Sequence, residues 1–316
     1  MSVDGGGGAV SGADADVIVV GAGPAGLAAA THTALDGWKT ILIERMGPGG
    51  KLLKLEKIYF APGLPKDTLG PDLASSLAED ALAAGVELVM DEVVGIQAGD
   101  PHTVVGQAGA YRAPVVIVAT GSDVARLGVP GESEFEGRGV SYCATCDGEF
   151  FRGQSVAVVG GGNPAAIEAS FLAELAASVL LVFREPTLQA LRGLRDEVEG
   201  KPNVRLLPGT QVVRIEGDES GVRAIVVTRN GTTETHTVNG VFVQDSFAPN
   251  SACLGGAARL DGDGFVVTDQ RMRTGTDGIY AVGDVRSGSP NLFAAAVGDA
   301  IVAAMDACRY LRQRSA

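Results

Sequence analysis

Apolar residues in this chain gather into short unbroken runs, and twice such a run empties into a cluster of glycines. The run Val17-Ile18-Val19-Val20, led by Asp16, is too short for a helix and apolar at successive positions, the pattern of a strand buried on both faces. It feeds Gly21-Ala22-Gly23-Pro24-Ala25-Gly26, which opens an alanine-rich helix predicted to reach Leu35. A second strand is predicted over Lys39 to Ile43 and ends at Glu44, and a buried strand over Val115 to Ala119 ends at Thr120-Gly121. Between them Pro71 starts a helix to Ala84 that Gly85 stops. The arrangement then repeats. Ser155 to Val159 is a strand, Gly160-Gly161-Gly162-Asn163-Pro164-Ala165 the turn, Ala166 to Ala176 a helix, and Ser178 to Phe183 the next strand.

The rest of the chain is read with the same periodicities. Alternating apolar runs between Val204 and Val243, broken at Asn230-Gly231, predict strands and a hairpin. Phe265 to Val267 and Ile279 to Val282 are expected as strands, and a long helix is expected from about Leu292 to Leu311. The internal repeat points to two dinucleotide-binding folds in tandem. The expected fold class is α/β, with two Rossmann-like domains of three-layer ββα form, the second inserted into the first. The expected division is a flexible leader over 1–14, a discontinuous first domain over 15–124 and 249–316, and an inserted domain over 125–248. Periodicity lapses around Leu127-Gly128-Val129-Pro130-Gly131, as at a hinge, and Asp245 to Asn250 is the expected return crossing.

Strand, glycine turn, helix, strand and acid in that order is a specific combination, although a lone GxGxxG is not. Glycines admit a pyrophosphate close to the backbone, the helix N-terminus favours its charge, and Glu44 can bond a ribose. A glycine turn that merely packs helix on strand is the bland alternative. The other chemical signal is Tyr142-Cys143-Ala144-Thr145-Cys146-Asp147-Gly148. Cys143 and Cys146 can form a redox dithiol with Asp147 as proton donor, a structural disulfide, or half of a zinc site. Zinc needs further ligands, and Cys253 and Cys308 stand alone in the sequence, so no metal is expected. His32 in a helix, His102 in a polar turn and His236 in a strand are read as surface or satisfied side chains. Arg309, Arg312 and Arg314 are read as complements to the negative end of the last helix.

Composition narrows the partners. At 316 residues the chain has room for about two domains, and 46% hydrophobic residues can fill their cores. A formal charge of −13 argues against nucleic acid and anionic membrane surfaces. No basic segment followed by an apolar core opens the chain, and no apolar run approaches the ~18 residues of a membrane span. Four cysteines do not make a secreted disulfide framework, so the expected location is cytoplasmic.

With these motifs in place, the chain resembles the low-molecular-weight flavoprotein thioredoxin reductases over nearly its whole length. The stretch from Leu127 to Gly162 carries the likeness most closely, with GVPGE, GRGVSYCATCDG and VAVVGGGN, and Gly283-Asp284-Val285-Arg286 adds to it. The resemblance implies that FAD lies against Gly21, Gly23, Pro24, Ala25 and Gly26, with Glu44 against its ribose and Arg45 also among the binding residues. Gly49, Gly50 and Lys51 would lie near the flavin, and Thr120, Gly121, Gly283 and Asp284 would complete the site. Cys143 and Cys146 would exchange electrons with the flavin, Cys146 facing it, and pass them to a thioredoxin-like or other disulfide partner. A homodimer is the family's usual assembly.

The second glycine turn departs from the family. Gly160, Gly162 and Asn163 persist, but Phe183, Arg184 and Glu185 stand where His-Arg-Arg would clasp a 2′-phosphate, and Gln189 replaces a further arginine. Pro164 removes a backbone donor, and Asp245-Ser246 replaces Ile-Gly. NADPH is therefore not the expected donor. A second FAD in the inserted domain, with Phe183 offering an aromatic face, is favoured by a small margin over a ferredoxin. Near the flavin, Lys51 and Phe60 replace Gln and Asn. Two alternatives stand beside this expectation, an NAD(P)H-dependent thioredoxin reductase and a flavin redox sensor without turnover.

Overall fold

The computed structural model describes residues 14–315 other than Lys57, Tyr59, Phe60 and Lys66. Of the expected leader only Asp14 is described, and Phe60 lies outside the described residues. The chain divides into two compact units, one over 1–123 and 248–316 and the other over 124–247.

In the first unit the fully apolar runs become the middle of a parallel sheet. Its strands lie in the order Ile279–Ala281, Val115–Val118, Val17–Val20, Thr40–Glu44 and Glu87–Met90. Val17 and Val19 pack with Leu42, Ile117 and the alanines of the Pro24–Leu35 and Phe293–Ser315 helices. Ile18 and Val20, one residue out of phase, pack on the other side with Ile43, Val116, Ile96 and Val104. Ile96 and Val104 belong to a three-stranded antiparallel sheet of Val93–Gln97, His102–Gly106 and Ala110–Ala113. The unit is thus helix, parallel sheet and antiparallel sheet in layers, and a period-2 element buried on both faces needs no polar position.

The second unit repeats the scheme. Its parallel sheet runs Val204–Leu207, Ser178–Val182, Ser155–Val159, Gly240–Val243 and Val140–Ser141. The helix Asn163–Leu175 covers it, and Gln211–Asp218, Gly221–Arg229 and Thr232–Thr237 form the antiparallel layer. Asn230 and Gly231, both at positive φ (50° and 77°), make the tight turn expected of that dipeptide.

Several expectations are corrected. Phe265–Val267 is not a strand; Val266 makes only isolated bridges to Leu260 and Arg286. His102 is not in a polar turn but begins a strand, 4% exposed, with Nδ1 accepting from the Gly99 amide. The last helix runs on to Ser315, and its arginines are engaged laterally, Arg312 with Asp36, Arg314 with Asp100 and Arg309 with Asp306. Those carboxylates, rather than the helix's negative end, hold the arginine charges. No described helix is long and apolar enough to cross a membrane.

Candidate redox and nucleotide-binding sites

The first glycine turn is shaped by contacts that exclude side chains. Gly21 lies at φ 98°, and a Cβ on Gly26 would fall 1.8 Å from the Gly21 carbonyl oxygen, so strand and helix meet only through glycine here. At Gly23, by contrast, a Cβ would have open space, and no side chain caps the helix that starts at Pro24. Uncapped N–H groups facing open room are what a pyrophosphate requires. Glu44 stands at the mouth: Oε2 accepts from the Ala22 amide at 2.7 Å, and Oε1 from the amides of Arg45 and Met46. Gly49 joins the same corner by donating to the Ala22 carbonyl. Arg45 is half exposed near Glu92.

Lys51 is drawn to a carboxylate. Its Nζ donates to Asp284 Oδ2 at 2.7 Å and to Ser122 Oγ at 2.8 Å, while Ser289 Oγ donates to Asp284 Oδ1. The neighbouring Gly283 amide donates to buried Asp299, which Arg286 holds through both carboxylate oxygens. Thr120 and Asn250 exchange side-chain to backbone bonds, with Gly121 at φ 69° between the two segments.

In the second unit Cys143 and Cys146 form a disulfide, and among the described residues no group of three or more His, Cys, Asp or Glu is placed to hold a metal. The edge strand Val140–Ser141 delivers Cys143 to the start of a one-turn helix, Ala144–Asp147. Cys143 is its N-cap, with Sγ accepting from the Cys146 amide at 3.2 Å. Cys143 is buried at 9% exposure whereas Cys146 is exposed. Ser141 Oγ donates to Asp147 Oδ2 at 2.6 Å, and that carboxylate opens on a groove of about 310 Å³ shared with Arg138, Phe150 and Arg223. On the other side, Glu168 Oε1 accepts from the Ala144 amide at 3.0 Å and from Gln244 Nε2 at 2.9 Å. Tyr142 donates to Glu132, and burial with that carboxylate pushes its phenol up to about 12.

The second glycine turn is built like the first, with Gly160 at φ 143° against the Gln244 carbonyl. Its surroundings differ. Pro164 occupies the first turn of the helix, where it costs no helical bond. Arg184 is paired with Asp245 at 2.7 Å, and Glu185 Oε2 lies 2.5 Å from where a Gly161 Cβ would project. The segment beyond folds back on the turn, with the Gln189 amide donating to the Gly161 carbonyl and the Leu191 amide to Asn163 Oδ1. Phe183 is 2% exposed, so the aromatic face expected of it is turned into the core.

Residues 15–300 match the family model described as pyridine nucleotide-disulphide oxidoreductase. The chain belongs to that family. The thioredoxin reductase of Peptoclostridium litorale is 36% identical over 308 residues, covering 94% of this chain and 97% of that protein. The crystal structure of Lactococcus lactis thioredoxin reductase in its FR conformation superposes at TM-score 0.92 with 33% identity, covering 95% of this chain and all of that one. A ferredoxin-flavin thioredoxin reductase from Clostridium acetobutylicum matches at TM-score 0.52 with 31% identity, covering 95% and 98% of the two chains. This family member is accordingly a thioredoxin-reductase-like flavoprotein disulfide oxidoreductase. Of the residues that surround its cysteine pair, Ser141 lies inside the GRGVSYCATCDG stretch, whereas Glu168, within an alanine-rich helix, and Gln244, at the end of an apolar run, carried no signal of their own.

Proposed function

We propose that this protein carries electrons from FAD held at the Gly21–Gly26 corner, through Cys143 and Cys146, to a thioredoxin-like disulfide, from a donor other than NADPH. FAD, once bound, supplies two electrons to the cysteine pair. The chain's residues do the rest. Two electrons and two protons convert the disulfide to two thiols, and Asp147, beside the pair and open to the groove, is the proton donor for the leaving sulfur. As the resemblance implies, Cys143 attacks the partner disulfide, and Cys146 then resolves the mixed disulfide.

The reading of the donor rests on one observation, the closure of the second glycine turn by its own chain. A 2′-phosphate needs free guanidinium groups, but Arg184 is committed to Asp245 and Glu185 brings a carboxylate to Gly161. The same closure weighs against a second FAD there and in favour of a protein donor of ferredoxin type, as in the name of the Clostridium acetobutylicum relative. Anaerobic mixing of the purified protein with NADPH is expected to leave the flavin oxidised, while reduced ferredoxin bleaches it. One flavin per chain is expected. Two flavins per chain would restore the second-FAD donor, and rapid bleaching by NADPH would overturn the donor assignment altogether.

A further inference from the structure

We propose that Glu168, acting with Gln244, is a positioning residue that clamps the backbone on both sides of Cys143 and keeps its sulfur within reach of Cys146. The two peptide units flanking Cys143 are each held from outside the motif. The amide of Ala144, on the C-terminal side, donates to Glu168 Oε1 at 3.0 Å. The carbonyl of Tyr142, on the N-terminal side, accepts from Gln244 Nε2 at 3.2 Å, and that same amide nitrogen donates to Glu168 Oε1. Glu168 stands on the Asn163–Leu175 helix and Gln244 just past the Gly240–Val243 strand, so the clamp ties the motif to the central layers of its unit.

The clamp is needed because the motif cannot hold itself. A four-residue helix is below the length at which a helix is stable alone. While the S–S bond exists it fixes the turn. Reduction by two electrons and two protons removes that tie, and the separated sulfurs would drift. Ser141 Oγ accepts from the Cys143 amide at 3.1 Å and reaches the Cys143 carbonyl at 3.3 Å, while the N–H end of that second peptide unit, at Ala144, is held by Glu168. A held dithiol closes to the disulfide more readily, because its effective concentration is high.

This role rests on the cysteine pair being redox-active, and it is tested without donor or thioredoxin. The holoenzyme is equilibrated with glutathione buffers, in which two glutathione thiols reduce the protein disulfide and leave as glutathione disulfide. Glu168→Ala is expected to shift the equilibrium about tenfold towards the dithiol, the worth of one charge-assisted hydrogen bond. Flavin content and melting temperature stay near those of the parent. Glu168→Gln, which keeps an acceptor oxygen for Ala144, recovers the parent equilibrium to within about threefold on the same reckoning. Gln244→Leu removes the other jaw and shifts in the same direction, and it carries the test should Glu168→Ala not fold. An unchanged equilibrium in both Glu168→Ala and Gln244→Leu, or a Glu168→Gln as displaced as the alanine variant, overturns the role. A parent pair that does not exchange with glutathione at all would instead remove the redox reading beneath it.

Discussion

At Gly26 a single methyl group separates a working corner from a blocked one. A Cβ there would overlap the Gly21 carbonyl at 1.8 Å, and neither the strand nor the helix can retreat without leaving the apolar layer around Val19 and Ala29. Gly26→Ala is therefore expected to cost about 1–3 kcal/mol, the usual penalty of overpacking, and to lower the flavin-to-chain ratio measured by absorbance. Gly23→Ala, with open space at its Cβ, is expected to fold normally, so any loss of flavin there reports crowding of the ligand. Residues of this kind were legible in the sequence because glycine spacing is itself the signal. The cysteine pair was legible for the same reason. Glu168 was not: like Glu174 in the same alanine-rich helix, it looks like solvent-facing charge until a fold brings the Ala144 amide to it.

Elements show the same division. Runs apolar at every position, such as Val17–Val20 and the four residues after Ser155, announce central strands, but Glu87–Met90 lies at a sheet edge, half exposed, and has no such run to announce it. The antiparallel layer of the first unit escaped notice because Val93–Gln97 and Ala110–Ala113 bury few positions each. His102, which opens its middle strand, shows what that costs in prediction. Burial holds this imidazole below its ordinary value, with smaller opposing effects from the Asp277 backbone and Asp100. A base whose folded pKa is depressed adds stability above the unfolded value, about 6.5, and loses it as pH falls below that. Thermal melts of the parent are thus expected to fall more steeply from pH 7 to 5 than those of His102→Gln; parallel curves would count against this. The C-terminal helix offers a second case. Asp306, 3% exposed, accepts from Tyr280, Arg271, Arg273 and Arg309 and so ties that helix to the sheet and its flank. Asp306→Ala strands a buried phenol and three cations, at an expected cost of about 3–5 kcal/mol. Arg309→Ala removes one half-exposed pair and is expected to cost under about 1 kcal/mol, so urea midpoints should separate the two variants clearly.

For the whole molecule, one architecture used twice raises the question of what distinguishes the two copies. Both units place a glycine turn between a central strand and a helix, and both glycines at the strand ends sit at positive φ against a neighbouring carbonyl. What differs is charge and cover. In the first, Glu44 bonds three amides at the rim and leaves room above Gly23. In the second, the segment from Arg184 to Leu191 lies over the turn, with Arg184 neutralised and Glu185 pressed on Gly161. If this cover keeps NADPH out, as proposed, it should be removable. Asp245→Ala releases Arg184, and Glu185→Arg replaces a repelling carboxylate by a second fork for a phosphate. Each favourable contact of a charged group is worth about 1.5–3 kcal/mol, so the double variant is expected to bleach with NADPH at least about tenfold faster than the parent at equal concentration. The single variants should gain less, since each leaves one carboxylate facing the phosphate. A double variant as unresponsive as the parent, with its flavin intact, would place the barrier to NADPH elsewhere than in these two carboxylates.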